Sequence, residues 1–234
     1  MTARYEQIAT HLRSLVASAA PGDRLPSEAE LCEQFGVSRM TARQAIQTLS
    51  TDGLIERRRG AGTFVRSKPV PRDLGSPLSF TGSMRARGMT TSSQILEWGE
   101  CEPNTDEMLA LDLPFGSMAH VLLRLRFADK TPMAIERVVM PSELASQLDF
   151  DFEKVSLHDA FRSIGRRPTE AHAEVGAGRA NKNQRDLLGL PQSGVVISEL
   201  RTIYDQDHVA LERTKTTYAA DRYAFTAIVR EVGE

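Results

Sequence analysis

Three helix-length segments follow one another within the first 51 residues, and this close succession constrains the fold more than any other feature of the chain. Apolar residues at Ile8, Leu12 and Leu15 share one face of a first helix that ends near residue 19. Ser27, with Glu30 three residues later, has the capping-box pattern that starts a second helix. A glycine-containing turn then leads into a third helix. Two short helices joined by a tight turn, with another helix before them, predict a helix-turn-helix domain.

The third helix is amphipathic, and its polar face carries groups that can read DNA bases. Ser38 can cap this helix, and Ala42, Ala45, Ile46 and Leu49 form its buried face. The residues turned outward are Arg39, Met40, Arg43, Gln44 and Gln47. Arginine can bind guanine through a bidentate fork, and glutamine can bind adenine. A solvated helix face has the same pattern, but the capped helix starts, the turn spacing and the scarcity of carboxylates on this face favour a recognition helix.

A glycine-rich hairpin follows the third helix. Residues 54–58 and 63–65 have the pattern of two short strands, and Arg59-Gly60-Ala61-Gly62 has the pattern of the turn between them. Gly60 and Gly62 allow the backbone to approach a phosphate or the floor of the minor groove without a side chain in the way. This segment predicts a wing beside the helix-turn-helix, and its alternative is a plain tight hairpin.

Positive charge is concentrated in the same part of the chain. The formal net charge of the whole chain is −2, which does not by itself indicate a nucleic-acid-binding protein. Between residues 38 and 66, however, six basic residues stand against two acidic ones, a local charge of about +4. Because lysine and arginine make the contacts to DNA phosphates, we predict that double-stranded DNA binds here.

Three motifs in this segment are typical of one family. They are PGDRLPSEAEL at 21–31, FGVSRMTARQAI at 35–46 and GLIERRRGAGTFV at 53–65. With them, residues 4–65 resemble the winged helix-turn-helix domain of GntR-family bacterial transcription regulators. The resemblance implies a repressor that binds a palindromic operator as a homodimer. The predicted DNA-binding residues are Ser38, Arg39, Thr41, Arg43, Gln44, Arg58, Arg59, Gly60 and Gly62.

A proline-rich segment separates this domain from the rest of the chain. Residues 66–77 contain three prolines and a glycine, which favours an extended, semi-rigid connection. We therefore predict a DNA-binding domain at 1–66, a linker at 67–77 and a second domain at 78–234. In the second domain, strand-like runs alternate with helix-like stretches and short polar turns, which predicts an α+β fold with antiparallel hairpins. The strand-like runs are 121–128, 134–140, 195–204, 209–218 and 225–229, and the helix-like stretches are 105–111, 157–164 and 183–188.

The second domain also carries a set of family motifs. They are Leu78-Ser79-Phe80-Thr81 with Met84 and Gly88, RLRFAD at 124–129 with PMAIE at 132–136, SLH at 156–158, LLGL at 187–190, ER at 212–213 and DRYAF at 221–225. This pattern resembles the UTRA effector domain of the HutC subfamily. The resemblance implies a six-stranded, mostly antiparallel sheet with flanking helices, a fold shared with chorismate lyase, and a homodimer formed largely through this domain.

The same resemblance implies a site for a small anionic metabolite. The loop at 79–81 and the side chains of Arg124 and Arg126 are expected to hold a phosphate or another anion. The two arginines lie two apart on a strand, so both point to one face and can form charge-assisted bonds to an oxyanion. Thr81 is expected to cap the following helix and to direct its N-terminus at the anion. Without the resemblance, the two arginines would be interpreted as the solvated face of a half-buried strand.

The remaining effector residues also come from the resemblance. Ser156 and His158 are expected beside the phosphate, and Glu136, Glu212 and Tyr218 at the hydroxyl-bearing end of the ligand. Sugar-phosphate binders of the subfamily usually carry tyrosine at the position of His158, so sugar phosphates, phosphonates and carboxylates all stay open as effectors. The full predicted set is Ser79, Phe80, Thr81, Arg124, Arg126, Glu136, Ser156, His158, Glu212 and Tyr218.

The sequence has two alternative interpretations, as an enzyme or as a ligand-independent DNA-binding protein. An enzyme related to chorismate lyase is one, but a shared fold does not carry shared chemistry, and no nucleophile stands beside a plausible base. A ligand-independent DNA-binding protein is the other, and residues 66–234 argue against it because they hold 21 basic and 24 acidic residues. Neither the five histidines nor the two cysteines have metal-binding spacing, so we predict no metal and no cofactor. No signal peptide or membrane-spanning run is visible, so we expect a cytoplasmic protein without membrane contact.

Overall fold

A computed structural model describes residues 3–19, 22–58, 60–66, 69–73 and 79–227 of the chain. The chain divides into two units, Met1–Pro69 and Val70–Glu234. Within the described ranges, no helix is long and apolar enough to cross a bilayer.

The N-terminal unit combines helices with a small antiparallel sheet. Its helices are α1 (Arg4–Ser18), α2 (Glu28–Phe35) and α3 (Arg39–Thr51), and its strands are β1 (Arg24–Leu25), β2 (Ile55–Arg58) and β3 (Gly62–Val65). The sheet order is β1-β3-β2, so the hairpin predicted as a wing is formed by β2 and β3. Strand β1 is the unpredicted member, because two residues are too short to show a periodic pattern.

Local signals in the sequence start and stop these helices. The Ser27 hydroxyl accepts the Glu30 backbone N–H at 3.3 Å, and the Glu30 carboxylate accepts the Ser27 N–H at 2.6 Å, which completes the capping box. Gly36 ends α2 in the left-handed conformation, with φ of 62°. The Ser38 hydroxyl accepts the Thr41 N–H at 3.3 Å and starts α3. The core beneath these helices includes Ile8, Leu12, Leu31, Ala42, Ile46, Leu49, Ile55 and Val65.

The second unit is built on a large antiparallel sheet. Its strands are β4 (Val70–Asp73), β5 (Thr91–Cys101), β6 (Ala119–Ala128), β7 (Thr131–Pro141), β8 (Glu170–Arg179), β9 (Val195–Tyr204), β10 (Ala210–Ala219) and β11 (Tyr223–Thr226). Its helices are α4 (Phe80–Arg85), α5 (Thr105–Ala110), α6 (Ser142–Ala145), α7 (Leu157–Ser163) and α8 (Lys182–Leu188). Six strands form the sheet in the order β5-β6-β7-β10-β9-β8, and every neighbouring pair is antiparallel. The α+β fold predicted from the sequence is therefore confirmed.

Helices cover both faces of the central strands. On one face, Phe161 of α7 packs with Leu122 and Val138, and α4 packs against Ala134 through Phe80. On the other face, α8 packs through Leu188 against Leu125, and Leu111, which follows α5, packs against Val139. The face under α4 and α7 is the one that carries the charged residues described below.

Part of the predicted linker belongs to the second unit. Val70–Asp73 forms β4, which pairs in parallel with Tyr223–Thr226, so the extended segment expected at 67–77 is a strand where it is described. Pro71 fits here because a two-stranded sheet leaves one side of the strand without a ladder partner. Residues 67, 68 and 74–78 lie outside the described residues. The strand predicted at 225–229 overlaps Tyr223–Thr226, and residues 228 and 229 lie outside the described residues.

Candidate DNA-binding and effector sites

The outer face of α3 is arranged as expected for a recognition helix. Arg39, Met40, Arg43, Gln44 and Gln47 are all exposed, and Met40 retains 70% of its accessible surface. The predicted contact residues Ser38 and Thr41 stand at the start of the same helix, where their hydroxyl groups lie 3.0 Å apart.

A carboxylate on α2 holds two arginines of this surface. Arg43 donates its Nε and Nη2 hydrogens to the two oxygens of Glu28 at 3.1 and 3.0 Å, and Arg57 of β2 donates to Glu28 Oε1 at 2.9 Å. The hydrogen bond from Arg43 lowers the pKa of the Glu28 carboxyl below its ordinary value. Helix α3 itself carries no carboxylate, as expected, but Glu28 of α2 places a carboxylate beside its exposed face. Glu28 fixes the direction of Arg43 and joins the helix to the hairpin.

The hairpin turn depends on its glycines. Gly60 and Gly62 have φ values of 75° and 125°, which side chains rarely tolerate, and a Cβ on Gly62 would lie 3.2 Å from Arg24 Nε. Arg58 is held at the tip by Glu56 at 2.7 Å and lies 4.6 Å from the centre of the Phe64 ring. Arg59, also predicted to contact DNA, lies outside the described residues.

A groove runs between the hairpin and the starts of α2 and α3. Its volume is about 600 Å³, and its basic side chains are Arg24, Arg39, Arg57 and Arg58. Gly60 and Gly62 form part of its wall. The structure thus brings together Arg39 of the predicted base-reading set and the described residues of the predicted wing contacts.

In the second unit, one carboxylate oxygen binds both arginines that were predicted to hold an anion. Glu136 Oε2 accepts from Arg124 Nε at 2.9 Å, from Arg124 Nη2, and from Arg126 Nη1 at 3.0 Å. All three side chains are buried. Burial alone would raise the pKa of the Glu136 carboxyl, but Arg124 and Arg126 outweigh burial and hold this pKa well below its ordinary value. Burial and the charge of Arg124 lower the pKa of Arg126 to about 10.

The first turn of α4 contacts Arg126. The Thr81 hydroxyl accepts from Arg126 Nη2 at 2.8 Å, and the Phe80 ring centre lies 4.7 Å from the guanidinium carbon. The expectation that Thr81 caps α4 is wrong, because Ser79 is the cap and its hydroxyl accepts the Gly82 N–H at 3.1 Å. Thr81 lies inside the helix, where its hydroxyl is free to bind the arginine instead.

Residues at the start of α7 face the same cluster. The Ser156 hydroxyl donates to the Ser79 hydroxyl at 3.4 Å, and His158 Nε2 lies 3.4 Å from Glu212 Oε1. Ser156, His158 and Glu212 are buried, and Ser79 is partly buried. Among the described residues, His158 Nδ1 and Glu212 Oε2 have no hydrogen-bond partner.

Most of the predicted effector residues surround one small cavity. The space between them is about 10 Å³, close to the room that one water molecule needs. The predicted residues that line it are Ser79, Phe80, Arg124, Arg126, Glu136, Ser156, His158 and Glu212. Thr81 stands behind Arg126 and contacts the cavity only through it. The effector set predicted from the sequence is thus largely gathered in space, with one clear exception.

That exception is Tyr218, which belongs to a neighbouring cluster. Its hydroxyl donates to Glu199 Oε2 at 2.9 Å and accepts from Arg72 Nη1 at 2.9 Å, and its ring stacks on Tyr223 with centres 4.1 Å apart. Burial raises the pKa of Tyr218 well above its ordinary value. Both polar contacts of the hydroxyl are therefore made inside the protein, away from the hydroxyl-bearing end of a ligand where Tyr218 was expected.

Sequence reasoning missed Arg201, which lines the cavity, and Glu199, which stands behind it. A signal for them existed in the strand VVISELRTIY at 195–204, where a carboxylate and a guanidinium alternate within an otherwise largely apolar run. Charged residues at alternate positions of a buried strand share one face and need partners there.

Comparison with known proteins places both units in one family. Residues 4–65 match the bacterial regulatory proteins of the gntR family, and residues 86–224 match the UTRA domain. The HTH-type transcriptional repressor NagR of Bacillus subtilis is 36% identical over 94% of this chain and 92% of its own length. The repressor PhnF of Mycolicibacterium smegmatis is 29% identical over 97% of this chain and 92% of its own length. The crystal structure of PhnF from Mycobacterium smegmatis superposes with a TM-score of 0.69 over 95% of this chain and 99% of the PhnF chain. The chain therefore belongs to the GntR family of bacterial transcription regulators, in the group of ligand-responsive, HutC-type repressors that carry a UTRA domain.

Proposed function

We propose that the chain acts as a homodimer that binds a palindromic operator through α3 and the β2–β3 hairpin and is released by a small anionic metabolite. The effector binds in the second unit beside Arg124 and Arg126, and the side chains around the water-sized cavity there must move apart to admit it. The observation that carries this proposal is the pair of buried guanidinium groups that share a single carboxylate at that cavity. This chain is a transcription regulator and not an enzyme.

The charges around the cavity favour an anion as the ligand. Three arginines line the cavity (Arg124, Arg126 and Arg201) against two glutamates (Glu136 and Glu212), so the lining has one more formal positive charge than negative charges. Hydroxyl groups of Ser79 and Ser156 stand beside the same space and can donate hydrogen bonds. A phosphate, a phosphonate or a carboxylate would supply the missing negative charge and accept several of these hydrogen bonds at once.

The exposed groups of the first unit favour DNA as the macromolecular partner. Arg39, Arg43 and Gln44 project from the start of α3, which is the part of a recognition helix that enters the major groove. Arg58 and the glycine turn are suited to the phosphate backbone or the minor groove. One recognition helix contacts few base pairs, so a two-fold symmetric dimer doubles the specific contacts on a palindromic site.

Thermal melting against a panel of anions tests the effector site. We expect at least one phosphorylated sugar, phosphonate or carboxylate to raise the melting temperature, because a ligand that binds only the folded state stabilises it. Arg124→Ala should abolish that rise. Arg213→Ala is the matched control, since Arg213 lies on the sheet but binds Asp106 at 3.0 Å and does not line the cavity. A rise of the same size in Arg124→Ala would remove the anion site from the proposal.

A further inference from the structure

The polar face of the sheet continues beyond the predicted effector residues. Direct strand pairing aligns Arg124, Glu136, Thr216 and Glu199 in one row across β6, β7, β10 and β9. The neighbouring row ends in Thr214 of β10 and Arg201 of β9, which are also direct partners. Side chains of directly paired residues project to the same face of a sheet. Arg201 and the two threonines therefore face the same side as the predicted anion site.

Arg201 is a buried cation whose hydrogen-bonding groups are largely unused. It retains 5% of its accessible surface, and its Nε and Nη1 groups have no hydrogen-bond partner among the residues that the structure describes. Its nearest carboxylate oxygen, Glu199 Oε2, lies 3.7 Å from Nε, which is too long for a hydrogen bond. A buried donor without a partner is costly, so these groups are suited to a ligand.

Glu199 is already bound to another arginine. Its Oε2 accepts from Arg72 Nη1 at 2.7 Å and from the Tyr218 hydroxyl at 2.9 Å. Arg72 lies behind the cavity and does not line it. The charge of Glu199 is therefore balanced by Arg72, which leaves Arg201 as a further positive charge at the cavity. The carboxylates that line the cavity are Glu136, which binds Arg124 and Arg126, and Glu212, which lies 3.4 Å from His158.

Two buried hydroxyl groups stand beside Arg201 on the central strand. Thr214 and Thr216 retain 1% and 2% of their accessible surface, and neither hydroxyl has a hydrogen-bond partner within the described part of the chain. Thr216 is the direct neighbour of Glu136 on one side and of Glu199 on the other. Thr214 pairs directly with Arg201, so both hydroxyls lie on the polar face between Glu136 of β7 and Arg201 of β9, and neither threonine lines the cavity as it stands.

We infer that Arg201 is a specificity-determining residue that selects an effector with a second acidic group. One acidic group of the ligand binds at Arg124 and Arg126, and a carboxylate at its other end binds Arg201. The hydroxyls of Thr214 and Thr216 form hydrogen bonds with the ligand's own hydroxyl groups, which lie between its two acidic groups. The effector class is therefore an organic acid that also carries a phosphate or phosphonate. This inference rests on the proposed anion site and extends it.

Isothermal titration of the full chain with matched pairs of compounds tests this inference. Glycerol 3-phosphate is compared with 3-phosphoglycerate, and the open-chain glucitol 6-phosphate with 6-phosphogluconate, because each pair differs mainly by a terminal carboxylate. In at least one pair we expect the carboxylate-bearing compound to bind on the order of tenfold more tightly, the effect of one charge-assisted hydrogen bond. Arg201→Leu should remove this preference, so that the two members of each pair bind with about equal affinity.

Further variants separate the possible outcomes. Arg201→Gln keeps a hydrogen-bond donor without the charge, should also lose the preference, and replaces Arg201→Leu if that variant does not fold. Arg213→Leu should keep the preference, and Arg124→Ala should lose binding of both compounds of each pair. Equal affinities within both pairs, or a preference that survives both Arg201 variants, would overturn the role of Arg201 while leaving the anion site intact. No binding of any of the four compounds would overturn the inference about Arg201, and the melting panel would then test the anion site separately.

Discussion

Individual buried charges define the effector domain, and Glu136 is the most informative of them. Its carboxylate accepts hydrogen bonds from two buried arginines, which hold its pKa below the ordinary value of 4.5. In the unfolded chain the carboxyl has its ordinary pKa, so the folded state binds this proton more weakly. The stabilisation that this difference provides is complete above about pH 4.5 and is lost as the pH falls from there toward the folded-state pKa.

The lowered pKa of Glu136 predicts how the stability of Glu136→Gln compares with that of the wild type in acid. We expect the variant to be less stable than the wild type by about 3–5 kcal/mol near neutral pH, because the arginines lose their buried counter-charge. The difference should shrink below about pH 4.5, where the wild-type carboxyl begins to lose its advantage. Urea unfolding at a series of pH values measures both effects, with the exposed Glu97→Gln as the control. A difference that stays constant down to pH 3 would exclude this role for Glu136.

On the DNA-binding surface, Arg43 is the residue whose loss should affect specificity most. Glu28 holds its guanidinium through two hydrogen bonds, so its direction is set before DNA binds. We expect Arg43→Ala to weaken binding to the cognate operator by roughly 1–3 kcal/mol and to affect random DNA much less. Arg58→Ala should instead weaken binding to both DNAs. It should also reduce the slope of the logarithm of the binding constant against the logarithm of the salt concentration by about one unit. Equal losses for Arg43→Ala on both DNAs, measured by fluorescence anisotropy, would show that Arg43 does not read bases.

Among the helices, α3 depends most visibly on its first residue. The Ser38 hydroxyl caps the helix that carries the predicted base contacts, and its removal should cost about 1 kcal/mol. Hydrogen exchange at the backbone amides of α3 should therefore be faster in Ser38→Ala. Ser50→Ala, near the other end of the same helix, is the control and should leave that exchange nearly unchanged. Unaltered protection in Ser38→Ala would mean that packing alone holds the start of α3.

Elements with local signals could be predicted from the sequence, and those fixed by distant partners could not. The capping residues Ser27 and Ser38 gave the starts of α2 and α3 because their hydrogen bonds are made within four residues. Strand β8 has one β-branched residue, Val175, and its other apolar residues are alanines, so its extended state comes from pairing with β9 at the edge of the sheet. Strand β4 likewise depends on β11, about 150 residues away along the chain.

The same distinction applies to the effector site. Arg124 and Arg126 are two apart in sequence, so their shared face could be predicted from strand geometry and their role from the family resemblance. The contacts of Tyr218 with Arg72 and of Thr81 with Arg126 join residues far apart in the chain, and no local pattern specifies them. Arg201 and Glu199 had a local signal, but the contact of Glu199 with Arg72 on β4 joins residues 127 apart and has no local signal.

For the whole molecule, the proposed function requires that two binding events influence each other. If an effector in the second unit weakens operator binding by some factor, the operator must weaken effector binding by the same factor. Couplings of this kind are typically about 1–3 kcal/mol, which corresponds to 5- to 150-fold changes in affinity. This reciprocity distinguishes a regulated repressor from a protein whose DNA affinity merely falls because a compound destabilises it.

The most direct measurement is operator affinity with and without the anion that gives the largest rise in melting temperature, compared between the wild type and Arg124→Ala. Fluorescence anisotropy with labelled operator should show that the anion weakens binding of the wild type by about 5- to 150-fold. Arg124→Ala should bind the operator as tightly as the wild type, because Arg124 lies outside the DNA-binding unit, and should not respond to the anion. A full response in Arg124→Ala, or none in the wild type, would contradict control of operator binding by an anion at this site.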